Sequence, residues 1–77
     1  MINIGQNIKE ELQRQGQTIS WLARKLGCNR MAVYRIIQKN SIDTGLLQNI
    51  SIILHHNFFK VFEEETEQKL RNTTTEM

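Results

Sequence analysis

The run Leu26-Gly27-Cys28-Asn29 constrains the fold of this chain more than any other stretch. Before it, Ile19, Leu22, Ala23 and Leu26 fall at the i, i+3, i+4, i+7 spacing of one buried helix face. Thr18 stands ahead of them as an N-cap. After it, Val33, Ile36 and Ile37 begin a second apolar stripe. Gly27 freely takes the left-handed conformation that ends a helix, and Asn29 offers the short acceptor that caps the next. The chain must therefore turn between two helices within about three residues.

Helical spacing also accounts for the rest of the chain. Ile4, Ile8 and Leu12 recur every fourth residue, which predicts a first helix from about Ile4 to Arg14 with Gly16 as its stop. Asp43 caps a fourth helix reaching about His55, whose Leu46, Leu47, Ile50, Ile53 and Leu54 form a wide apolar stripe. Asn57 is placed to cap a short fifth helix containing Phe58, Phe59, Val61 and Phe62. Beyond Glu63 the chain is polar; its first part continues the helix and "NTTTEM" frays. With no Pro and no alternation of β-branched or aromatic residues, strands are unsupported. The reading is an all-α chain, a single domain over residues 1–65 and a polar, partly helical or disordered tail over 66–77.

Seventy-seven residues, 39% of them hydrophobic, are enough for one modest core. Cys28 has no internal partner, no apolar run reaches 18 residues, and "MINIGQNIKEE" lacks the regions of a signal peptide. A cytoplasmic protein without a membrane segment is expected. The net charge of +2 hides an asymmetry: residues 1–42 carry seven basic and two acidic side chains, residues 43–77 three basic and six acidic. A basic front of this kind presents one face to a polyanion.

The third helix shows how. At 100° per residue from Arg30, Ala32, Ile36, Val33 and Ile37 fall at about 200–340°, whereas Arg30, Tyr34, Gln38, Met31 and Arg35 fall at about 0–140°. One arc packs inward; the other carries two guanidinium groups, a phenol, an amide and a thioether. A helix fits the major groove of B-DNA, where an Arg fork matches guanine O6 and N7 and a thioether meets a thymine methyl. Arg30, Met31 and Tyr34 are therefore the candidate base contacts. Arg35, Gln38 and Lys39, with Arg24 and Lys25 before the turn, are candidates for phosphate.

Two stretches, "TISWLARKLGCNRMAVYRII" and "SIDTGLLQNISIILHHNFF", resemble the helix-turn-helix domain of the Xre/Cro family, related to lambda-type phage repressors. The carrying residues are Leu22-Ala23 before the turn, Leu26-Gly27 in it, and Val33 and Ile36 at the buried positions of the third helix. The resemblance implies a compact five-helix, lambda repressor-like fold with the helix-turn-helix at helices two and three. It also implies a dimer that binds pseudo-palindromic operator DNA and regulates transcription. Where the family often starts its second helix with a phosphate-contacting Gln, this chain has Ile19, so that role passes to Thr18 or Ser20. Ile37 and Lys39 likewise replace the family's usual Glu and Gly.

Other residues carry paired readings. Cys28 reads as a small buried hydrophobe, with a redox-sensing thiol as the alternative. Trp21 reads as a core anchor, with a partner contact as the alternative. Phe58, Phe59 and Phe62 form a dimer interface or close the core. His55 and His56 lack further ligands at metal spacing and sit where cations favour a helix C-terminus. No nucleophile–base pattern, phosphate loop or carboxylate pair is present, so neither enzyme activity, cofactor, metal nor small-molecule effector is expected. The alternative function is a protein-interaction module, antitoxin-like or an adaptor, on the same fold.

Overall fold

Side-chain caps set the helix boundaries. The computed structural model describes residues 2–76; Met1 and Met77, the first and last residues of the expected domain and tail, lie outside them. The elements are α1 (Ile4–Arg14), α2 (Ile19–Leu26), α3 (Arg30–Ile37), α4 (Thr44–Leu54) and α5 (Lys60–Glu76), with no strand among the described residues. Asn3, Thr18, Asn29 and Asp43 each accept from the amide three residues on, at 3.1, 3.0, 2.9 and 3.3 Å. Each bond satisfies an amide that the first helical turn leaves unpaired. At the other end of α2, Gly27 lies at φ 74°, and the amides of Gly27 and Cys28 donate to Arg24 and Ala23. That closure needs a left-handed residue, which a side chain would strain.

The core gathers the predicted stripes. Ile4, Ile8 and Leu12 of α1 meet Leu22 and Ala23 of α2, Val33 and Ile36 of α3, and Leu47, Ile50 and Leu54 of α4. Phe58, in the turn before α5, completes it at 1% exposure. α3 packs on both α1 and α2, and α4 closes against α2. The start of α1 is clamped to the residues after α3: the amides of Ile4 and Gly5 donate to the carbonyls of Asn40 and Lys39 at 3.2 and 3.0 Å. No helix of the described residues is long and apolar enough to cross a membrane.

Four expectations change. The fifth helix is 17 residues long rather than short, and it begins at Lys60, after Phe58 and Phe59. Asn57 does not cap it directly; its side chain accepts from the Phe59 amide at 3.0 Å, shaping the turn that leads in. The segment expected to fray is helical through Glu76. Residues 63–71, which precede it, are mostly good helix formers, Glu65 pairs with Lys69 one turn on at 2.9 Å, and the Thr73 hydroxyl donates to the Lys69 carbonyl at 2.9 Å. Because α5 is exposed over most of its length, the molecule measures 48 × 20 × 19 Å. Its radius of gyration of 14.4 Å exceeds the roughly 11–12 Å of a compact chain this long. Finally, Cys28 is exposed rather than buried, because the turn holds it outside the packed faces of α2 and α3.

Glu11 is a buried acid that no apolar pattern marks. Arg14 and Gln15 donate to its carboxylate, Gln15 at 2.6 Å, and His56 Nδ1 lies 3.6 Å away. The Arg14 hydrogen bonds, against the opposing effect of burial, hold its pKa down from 4.5 to about 2. Gln15 also donates to the Leu54 carbonyl at 2.7 Å, so this cluster ties the end of α1 to the end of α4.

Candidate nucleic-acid interface

The connection between α2 and α3 is three residues, Gly27 to Asn29, and both of its ends are fixed by the Gly27 closure and the Asn29 cap. α3 is thus held against α2 with little freedom to rotate about its own axis. Its inward arc is Val33 and Ile36, buried, with Ala32 and Ile37 half-buried. Its outward arc is as the wheel predicts: Arg30, Met31, Tyr34 and Arg35 are exposed, Met31 at 60% and Tyr34 at 43%. Met31 and Tyr34 thus leave apolar surface open between two guanidinium groups on one arc.

The remaining predicted contacts sit around this arc. Arg24 and Lys25 are exposed in the last turn of α2, and Lys25 Nζ lies 5.9 Å from the centre of the half-buried Trp21 ring. Gln38 and Lys39 are exposed just past α3. Thr18 is exposed with its hydroxyl oxygen accepting from Trp21, and Ser20 is half-buried on the first turn of α2. Thr18, Tyr34 and Gln38 line one common groove, whereas Ser20, Arg24, Lys25, Arg30, Met31, Arg35 and Lys39 do not line it.

Electrostatics sharpen the picture. From Leu12 to Ile42 the chain carries Arg14, Arg24, Lys25, Arg30, Arg35 and Lys39 and no acidic residue, a signal visible in the sequence as a gap between Glu11 and Asp43. Of these cations Arg14 is neutralised by Glu11. Among the described residues no ion pair engages Arg24, Lys25, Arg30, Arg35 or Lys39. Five cations therefore share one stretch of the fold without internal counter-charge, so their field reaches solvent.

The three phenylalanines part company. Phe58 is in the core, its ring centroid 4.6 Å from that of His56 in an edge-to-face pair, so it closes the monomer and has no surface to offer a second copy. Phe59 and Phe62 are half-buried and, with Ile4, Ile42 and Leu47, line an apolar groove of about 240 Å³. Ile52, 65% exposed, lies in a second groove bordered by Phe59. Among the described residues no group of three His, Cys, Asp or Glu side chains is arranged to hold a metal.

Comparison with protein-family models, with curated proteins and with solved structures gives no match to this chain.

Proposed function

We propose that this chain is a sequence-specific DNA-binding transcriptional regulator in which α2, the three-residue turn and α3 act as a helix-turn-helix. The observation that carries the reading is the outward arc of α3, which combines Arg30, Met31, Tyr34 and Arg35 with cations that have no acidic partner. The resemblance to the Xre/Cro family, carried by the residues around Leu22-Ala23 and Leu26-Gly27, points the same way. In this reading α3 enters the major groove with Arg30 and Met31, at its N-terminal end, against base edges. Arg30 takes guanine through its two-pronged fork, Met31 takes an apolar edge, and Tyr34 follows one turn on. Arg24, Lys25, Arg35 and Lys39 hold phosphates and set the register. Phe59 and Phe62 join two copies about a two-fold axis, which places two reading helices on a pseudo-palindromic site about one DNA turn apart.

A second reading is favoured by exposed Ile52 beside Phe59: a protein-interaction module that uses this fold without operator binding. Titrating a labelled mixed-sequence duplex at two salt concentrations separates the two. The regulator binds at low salt and loses affinity steeply as salt rises, because each neutralised phosphate releases counterions. No binding at low salt would remove the regulator reading and leave the interaction module.

A further inference from the structure

We infer that α1 is part of the DNA-contacting surface, with Lys9 and Gln13 gripping the sugar-phosphate strand that borders the groove occupied by α3; this rests on the reading of α3 as the DNA-binding helix. A groove of about 490 Å³ runs between α1 and the end of α3. Lys9 and Gln13 stand on its α1 side, Tyr34 and Gln38 on its α3 side, and Gln17 and Thr18 across its end. The polar side chains of α1 thus share a surface with Tyr34 and with Gln38 just past the end of α3.

Dimensions decide what fills such a groove. The major groove is about 12 Å wide, and a helix with its side chains is about 10–12 Å across. A helix seated there touches the phosphate strands on both sides. A neighbouring helix packs at an axial distance of about 8–10 Å, so it overlies the bounding strand rather than the base edges. α1 packs on α3 and is bonded to the residues after it through Ile4 and Gly5, so its position beside α3 is fixed. The polar groups lining the groove suit a phosphodiester strand: one ammonium, four amides, a hydroxyl and a phenol, beside the apolar Leu12, Ile19 and Ile37 and with no carboxylate. Lys9 is exposed and enters no ion pair among the described residues.

The test compares the salt dependence of duplex binding for wild type, Lys9→Gln and, as a control of equal charge change on α5, Lys60→Gln. Neutralising one phosphate contributes about 0.9 to the slope of log affinity against log salt. Lys9→Gln is expected to lower the slope by that amount, so a fourfold rise in salt weakens it about 3.5-fold less than wild type. Base preference stays unchanged and Lys60→Gln keeps the wild-type slope. Gln13→Ala, which removes an uncharged donor, lowers affinity on every sequence at constant slope. If wild type binds DNA and Lys9→Gln keeps its slope, the assignment of α1 is overturned while α3 stands as the reader. Equal slope changes in Lys9→Gln and Lys60→Gln also overturn it, because the effect is then one of net charge. If wild type binds no duplex, the α3 reading itself fails and takes this one with it.

Discussion

Replacing Gly5 by Ala tests the joint between the start of α1 and the end of α3. A Cβ built at Gly5 lies 2.4 Å from the Ile37 carbonyl oxygen and 2.5 Å from that of Lys39, against an ordinary contact of at least 3.4 Å. These are backbone atoms, so relief requires α1 and the end of α3 to part by about 1 Å. Overpacking of this kind costs about 1–3 kcal/mol. The same movement breaks or stretches the bonds from Ile4 and Gly5, together about 1–3 kcal/mol. Against this, Ala is favoured over Gly in a helix by about 0.5–1 kcal/mol. The net loss is about 1–5 kcal/mol, or roughly 5–40 °C in melting temperature for a chain this small. Gly45→Ala is the companion, since its nearest neighbour is Asp43 Oδ2 at 3.4 Å; only the helical gain operates there and stability rises by about 0.5–1 kcal/mol. Thermal and urea unfolding followed by circular dichroism measure both. A Gly5→Ala protein as stable as wild type would refute the close approach of α1 to the end of α3.

Other outcomes follow from the same structure. Glu11, with its folded pKa below its unfolded value, adds stability that is present above pH 4.5 and lost as pH falls toward about 2. The shift corresponds to at most about 3.5 kcal/mol, and solvent around the 68% exposed Arg14 side chain reduces this to about 1–2 kcal/mol. Glu11→Gln should flatten that acid limb in urea titrations between pH 2 and 7. Asn29→Ala removes the cap of α3 and is expected to cost about 1 kcal/mol in the same assay. Phe58→Ala should lower stability by about 3–5 kcal/mol through the cavity it leaves. If the proposed dimer forms, the double change Phe59→Ser with Phe62→Ser should convert it to monomer in sedimentation experiments, with some loss of stability because both rings also pack against the core. A dimer that survives it removes these two residues from the interface.

What was legible in the sequence was local. Thr18, Asn29 and Asp43 act on amides three residues away and Gly27 on its own backbone, so the ends of α2 and α3 and the start of α4 follow from short stretches. The two arcs of α3 follow equally from periodicity, since each residue's burial depends on its angle about one axis. What stayed hidden depends on distant partners. Gly5 matters because residues 37–39 cross its α-carbon, and Glu11 is held in the interior by Arg14, Gln15 and His56. The length of α5 was hidden for a different reason. Past Phe62 it has little apolar stripe to read, and its continuation rests on propensity and the Glu65–Lys69 pair. Of the two readings of Phe58, it takes the one that closes the core, because it precedes the helix rather than sitting on its face.

The central claim is that the outward arc of α3 reads a DNA sequence. Selection from a pool of random duplexes, repeated with Arg30→Ala, tests it most directly. The wild-type protein is expected to enrich a two-fold symmetric motif. Arg30→Ala is expected to lose about 1–3 kcal/mol on that motif and to relax one base position in each half-site. Retention without any enriched motif, or a motif unchanged by Arg30→Ala, would contradict that claim.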